Sequence, residues 1–144
     1  LAAFGATELP AHALDQSRCG LLFVNPALPL DGAAVCAVMA ELDATAQAHG
    51  HVLYATLNVE TAMSMVAVIN LQFDRAVPEE VERAHRCADA MLACIRRHGL
   101  EPYRARADMM QSIVSDDAYW QTVERLKDAL DPDRIIAPGR YNLR

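Results

Sequence analysis

No stretch of the 144-residue chain stays apolar for the roughly 18 residues that a bilayer-spanning helix needs. Nor does it contain a Gly-rich phosphate loop, a Gly-x-Ser-x-Gly elbow, a His-x-x-x-His pair or a Cys-x-x-Cys pair. These absences argue against a transmembrane protein, a self-contained nucleotide-binding domain and a self-contained hydrolase. Basic residues are the minority, 13 Lys+Arg against 19 Asp+Glu for a net charge of −6. A nucleic-acid binder needs a basic face to displace counterions, so that class is disfavoured as well. Glycine (6) and proline (7) are sparse and charged residues reach only 22%, which removes collagenous, low-complexity and disordered chains. The four cysteines, Cys19, Cys36, Cys87 and Cys94, show no Cys/His spacing suited to zinc. They read as reduced structural thiols, with Cys36 and Cys87 inside apolar helical patterns. The opening Leu-Ala-Ala-Phe-Gly-Ala-Thr-Glu lacks the charged start and cleavage site of a signal peptide. A chain that begins at Leu1 rather than Met is expected to be processed or to be part of a longer polypeptide.

What is present is 53% apolar residues in a length that suits one domain with a sizeable core. The first helical stripe starts at the N-cap Asp31, repeats through Val35, Val38, Met39, Leu42 and Ala46, and stops at Gly50. A second opens with Pro78-Glu79-Glu80 and buries Val81, Ala84, Ala88, Met91, Leu92 and Ile95. Arg96, Arg97 and His98 then complement the helix dipole before Gly99. A third, from Asp116 to about Leu130, follows Ser115 and is expected to bury Trp120, Val123, Leu126 and Leu130 before Asp131-Pro132 stops it. Strand signals fall at Leu21 to Val24, closed by Asn25-Pro26, and at Val52 to Val59. A third run, Met65 to Phe73, alternates, with Met65, Ala67, Ile69, Leu71 and Phe73 on one face and Asn70 and Gln72 on the other. A weaker fourth strand spans Pro102 to Ala105. The fold class is α+β: a ferredoxin-like split βαβ sheet with two covering helices, plus a C-terminal helix and an extended tail.

That fold hosts many unrelated functions, so function must come from residues. His49 and His51 flank a helix-ending glycine and His98 sits at a helix end, all read as solvated caps; His85 reads as exposed. His12, in the N-terminal coil, has no visible partner. Two segments stand out. Glu101-Pro102-Tyr103-Arg104 sets a phenol and a guanidinium side by side after a helix end, where both can reach one anionic oxygen. The second runs from Leu126 to Tyr141: a helix stopped by Asp-Pro, an Ile135-Ile136 hook, then Pro138-Gly139-Arg140. Pro138 fixes one torsion, and Gly139 permits positive φ or close backbone approach. On the residues alone this is a capped helix with a tail, or a segment shaped to dock.

The closing run Leu130-Asp-Pro-Asp-Arg-Ile-Ile-Ala-Pro-Gly-Arg140 closely resembles the C-terminal signature of FAD-linked oxidases of the vanillyl-alcohol oxidase and 4-cresol dehydrogenase (p-cresol methylhydroxylase) family. The resemblance extends back through Tyr103-Arg104, through Phe73-Asp74-Arg75 with Pro78-Glu79-Glu80, and to Leu22-Phe23 with Pro26. It implies that 1–144 is the C-terminal domain of such an enzyme: a substrate cap over 1–115, then a helix and tail over 116–144 returning to an upstream FAD-binding domain. It also implies that Tyr103 and Arg104 hold the phenolate oxygen of a small phenolic substrate. The flavin takes a hydride from the alkyl carbon attached para to it, giving a quinone methide. Pro138, Gly139 and Arg140 are the residues the resemblance brings to the cofactor, and His12 is the candidate for covalent attachment of FAD from this chain. The family's paired histidines correspond to about Val66 and Ala67, which are apolar here. Partners implied are the upstream domain, a cytochrome c subunit where oxygen is not the electron acceptor, and further copies of the enzyme in a homo-oligomer, with neither nucleic acid nor membrane. The compartment, cytoplasmic or periplasmic, is left open. Two other readings compete: the cap of an FAD-dependent 2-hydroxy-acid dehydrogenase, with Arg104 on a carboxylate, and a non-enzymatic ferredoxin-like ligand-binding module.

Overall fold

The structure, a computed structural model, describes residues 17–114 and 117–140. His12 therefore lies outside the described residues, as do Ser115 and Asp116. The chain divides into two compact units, Leu1–Tyr103 and Arg104–Arg144.

In the first unit the alternation of one strand organises everything else. Strands β1 (Cys19–Val24), β2 (Ala27–Pro29), β3 (Tyr54–Val59) and β4 (Ser64–Asp74) form an antiparallel sheet in which β4 pairs with the other three. Successive side chains of a strand point to opposite faces, and β4 sends Ala67, Ile69 and Leu71 into the core. Helices α1 (Gly32–Ala48) and α2 (Pro78–Arg97) meet them there with Val38, Leu42 and Ala46 from the first and Cys87, Ala88, Met91 and Ile95 from the second. On the opposite face Phe23 and Tyr54 flank Asn70 in register, and both are about half exposed. The expected α+β, split βαβ architecture is what is found. The Asp31 carboxylate caps α1 by accepting from the Ala33 and Ala34 N–H groups at 2.9 and 3.1 Å. No helix among the described residues is long and apolar enough to cross a membrane.

Three sequence expectations change in this unit. The fourth strand shrinks to a single bridge, Pro26 to Pro102. Among the described residues the pairing there consists of the two backbone bonds that flank the bridge, Ala27 N–H to the Glu101 carbonyl and Tyr103 N–H to the Asn25 carbonyl. Cys36 is exposed on α1, whereas Cys87 and Cys94 are buried; all four cysteines are free. His51 is only 7% exposed, and its Nε2 has no hydrogen-bond partner among the described residues. Burial first, and the nearby Arg83 cation second, push its pKa below the usual 6.5.

The second unit holds a short turn of 3-10 helix (Ala107–Met109) running into α3 (Met110–Ile113), then α4 (Ala118–Leu130). The N-cap of α4 is Asp117, whose carboxylate accepts from the Trp120 N–H at 3.0 Å. The apolar stripe of α4 does not reach a core. Trp120 and Val123 are half-buried, while Leu126 and Leu130 are 57% and 80% exposed. Within its own unit this helix has no sheet or long helix to lie on, and periodicity alone cannot supply the second layer.

The packing generates two expected outcomes. A Cβ on Gly20 would overlap the ring of Phe73, its cross-strand partner. Gly20→Ala is expected to cost about 1–3 kcal/mol in urea unfolding, and Phe73→Leu in the same chain to recover part of that loss. Because His51 is held neutral in the fold, its contribution is present above the unfolded pKa near 6.5 and is lost as pH falls below it. The Tm is expected to drop between pH 7 and 5, with a shallower slope in His51→Leu; an unchanged slope would show that other groups control it.

Candidate functional site

The turn after α2 delivers Tyr103 to the end of β1. The Ala27 N–H donates to the Glu101 carbonyl at 3.0 Å and the Tyr103 N–H to the Asn25 carbonyl at 2.6 Å, on either side of the Pro26–Pro102 bridge. Backbone bonds thus fix the tyrosine against a sheet strand, while its side chain is 56% exposed. The Oδ1 of Asn25 is buried and has no partner among the described residues. Tyr103 is the last residue of the first unit and exposed Arg104 the first of the second. Two further residues along, Arg106 grips Asp108 with two parallel hydrogen bonds of 3.0 Å. A phenol and a guanidinium are thus adjacent in the chain at the place where sheet pairing ends.

The closing motif is organised around one carboxylate. Asp131, 4% exposed, accepts from the N–H groups of Ile135 and Ile136 at 3.0 Å each and from Lys127 Nζ. The Lys127 hydrogen bond and those amides hold its carboxyl below the usual carboxylate range. Lys127 also donates to the Ile136 carbonyl, and Arg134 reaches Asp128 at 2.8 Å. These contacts over-determine a backbone that carries Arg134, Ala137 and Gly139 at positive φ of 54, 44 and 72°. Such a conformation costs a non-glycine residue on the order of 1–3 kcal/mol. The result is a fixed hook that leaves Ile135 and Ile136 exposed. The Asp-Pro step, legible in the sequence as a helix stop, is therefore also the anchor of the hook beyond it.

Pro138, Gly139 and Arg140 are exposed at the end of this hook. A Cβ on Gly139 would meet nothing within 4 Å, so the glycine answers to its φ rather than to a close neighbour. The described residues around it build no cradle that would fit a flavin. One cluster is not legible along the sequence at all. Glu41, Cys94 and His98 place a carboxylate oxygen, a thiol sulfur and an imidazole nitrogen within 4.8 Å of one another. The expectation of no Cys/His spacing suited to zinc overlooked Cys94 and His98, which stand four apart on one helical face. His98 is the exposed C-cap expected of it, and its Nε2 also lies 2.7 Å from Glu41 Oε2. The third member comes from a different helix, which no local spacing reveals.

No protein-family model matches the chain. In sequence it is 32% identical over 131 residues, 90% of its length, to a 1'-carboxy-chondrochloren decarboxylase from Chondromyces crocatus, of which it covers 24%. It is 32% identical over 80 residues to the 4-cresol dehydrogenase [hydroxylating] flavoprotein subunit of Pseudomonas putida, covering 53% of this chain and 15% of that protein. In structure it matches p-cresol methylhydroxylase with substrate bound at a TM-score of 0.74 and 26% identity, over 85% of this chain and 24% of the other. A 4-ethylphenol oxidase from Gulosibacter chungangensis shares the fold at a TM-score of 0.78 and 20% identity, over 88% of this chain and 25% of the other. The chain spans about a quarter of the length of the first curated relative and of both solved structures. The resemblance read from the sequence, to flavoprotein oxidoreductases of the p-cresol methylhydroxylase kind, therefore holds in both sequence and fold.

The hook generates one outcome. Asp131→Ala leaves the Ile135 and Ile136 amides and Lys127 without their shared acceptor. Hydrogen bonds to a charged group contribute about 1.5–3 kcal/mol, so amide exchange at Ile135 and Ile136 is expected to quicken roughly ten- to a hundredfold. The amides of α2 are expected to keep their protection.

Proposed function

We propose that this chain is the substrate-covering part of an FAD-dependent oxidoreductase that oxidises 4-alkylphenols, with Tyr103 and Arg104 holding the phenolate. The observation that carries the reading is the match to p-cresol methylhydroxylase over 85% of the chain, and it is supported by the Tyr103-Arg104 pair adjacent in the sequence. FAD belongs on this reading to the rest of the enzyme, an upstream domain, and the hook of the second unit is the segment that returns to it. On this reading flavin would supply hydride removal from the alkyl carbon attached to the ring para to the oxygen, which gives a quinone methide that water can trap.

This chain's own residues act at the oxygen. An ionised phenol pushes electron density through the ring toward the para carbon, so whatever stabilises the phenolate assists the oxidation. Arg104 offers a cation with a planar fork of donors; Tyr103 offers one hydroxyl donor. Placed in a site from which water is shut out, two such groups stabilise the developing anion more than they would in bulk water.

A second reading is favoured by the Chondromyces crocatus relative, whose name carries a carboxy group and a decarboxylase activity. On that reading Arg104 receives a substrate carboxylate, as it would in the 2-hydroxy-acid alternative. One variant separates the two in the complete enzyme. Loss of a charged hydrogen bond of about 1.5–3 kcal/mol corresponds to a fall in kcat/KM of roughly ten- to a few-hundredfold on 4-alkylphenols for Arg104→Met. Arg104→Lys is expected to recover part of it, and Tyr103→Phe to cost less at high pH, where the substrate arrives ionised. Normal turnover of 4-alkylphenols by Arg104→Met, with loss of activity on a carboxylated substrate, would establish the second reading instead.

A further inference from the structure

Away from the Tyr103–Arg104 segment, the packed helices of the first unit bring together three side chains of unlike chemistry. Glu41 stands on α1; Cys94 lies on α2 and His98 at its C-terminal cap, one turn apart. The two oxygens of Glu41 have different partners. Oε1 takes the Arg97 guanidinium, and Oε2 lies 2.7 Å from His98 Nε2. The thiol of Cys94 lies within 4.8 Å of the same carboxylate. Cys94 is wholly buried, while Glu41 and His98 stand partly exposed beside it. The cluster thus has a dry floor of sulfur and a wet rim of oxygen and nitrogen.

We propose that Glu41, Cys94 and His98 form a binding site for a single Zn2+ ion, with three protein ligands and a fourth position open to water. Thiolate, imidazole and carboxylate together suit zinc and disfavour the all-oxygen cations magnesium and calcium. Zinc bonds of about 2.0–2.3 Å set tetrahedral ligand atoms roughly 3.3–3.8 Å apart. The three donor atoms already lie within 4.8 Å of one another, and the two partly exposed side chains supply the adjustment. Binding replaces the hydrogen bond between Oε2 and Nε2 with two metal bonds. The Nε2 proton and the Cys94 proton leave to solvent, the imidazole binds as the neutral ring with its one proton on Nδ1, and the thiolate and the Glu41 carboxylate balance the two positive charges. Arg97 keeps Oε1 and orients the carboxylate from outside the coordination shell, the usual place for such a partner. A bare ion-pair clamp between the helices, with Cys94 serving as part of the core beneath it, is the competing account.

Titrating Co2+, a coloured substitute for zinc, into the reduced full chain tests this. One equivalent is expected to produce a thiolate-to-cobalt charge-transfer band with tetrahedral visible bands, all bleached by Zn2+. Cys94→Ser is expected to remove the charge-transfer band, and Cys36→Ser, on the exposed side of α1, to leave it intact. His98→Gln and Glu41→Gln are expected to weaken binding at least tenfold; both positions are partly exposed, so these variants remain informative if Cys94→Ser does not fold. Zn2+ is also expected to raise the Tm of the parent chain but not that of His98→Gln. Absence of the charge-transfer band, or its loss in Cys36→Ser, would overturn the site. So would an equal Zn2+ effect on the parent and His98→Gln, leaving the clamp as the function of the cluster.

Discussion

One strand carries the sheet. Because β4 pairs with β1, β2 and β3, its period-two pattern sets the facing of every residue in the first unit's sheet. Ala67, Ile69 and Leu71 point into the helical layer, so Leu22 and Val24 of β1 and Leu28 of β2 must do the same by register. A one-residue slip would send Asn70 and Gln72 into the core and expose the aliphatic residues. Helix α2 depends on this directly, packed on β1 and β4, and α1 through it, since α1 lies mainly on α2 with a smaller contact on β2. Gly20 fits the same constraint from the edge, where the absence of a Cβ lets the Phe73 ring lie across β1.

Where the sheet ends decides where the candidate chemistry begins. Pro26 and Pro102 face each other in a single bridge, with Tyr103 tied through its backbone to Asn25. A longer fourth strand would have sent Tyr103 and Arg104 to opposite faces by strict alternation. Ending the pairing there frees consecutive side chains from that rule. The closing segment solves the opposite problem. It must hold an irregular backbone in one shape without a sheet or a helix, and a single buried carboxylate with amide and ammonium donors does so. Both devices place irregular chain by a few specific hydrogen bonds, and both leave large side chains exposed for something else to meet.

The helical layer shows how much chemistry a fold assembles from parts that look unremarkable apart. Glu41, Arg97 and His98 tie α1 to α2 at the surface, and the carboxyl of Glu41 is held down to about 2 by its hydrogen bonds to Arg97 and His98. Cys94 lies beneath, its thiol pushed upward in pKa chiefly by burial. Two opposed environments, one that favours charge and one that forbids it, thus meet at a single point between the helices.

The sequence alone determined the α+β class, α1 with its Asp31 cap, α2 with its proline start and basic end, and the facing of β4, because each rests on local periodicity and capping chemistry. It also carried the resemblance to phenol-oxidising flavoproteins, since the Asp131-to-Arg140 run and Tyr103-Arg104 are contiguous motifs. Tertiary structure alone decided the rest. The exposed stripe of α4 was illegible because amphipathicity states which face would be buried, not whether a partner is present. The burial of His51 depends on how the residues after α1 pack near Arg83, and a loop position carries no such signal. The Glu41–Cys94–His98 cluster needs two helices to cross at one particular place. The reduction of the fourth strand to a bridge needs two prolines distant in the chain to become cross-strand neighbours. These are long-range coincidences, fixed by packing and register rather than by any spacing along the chain.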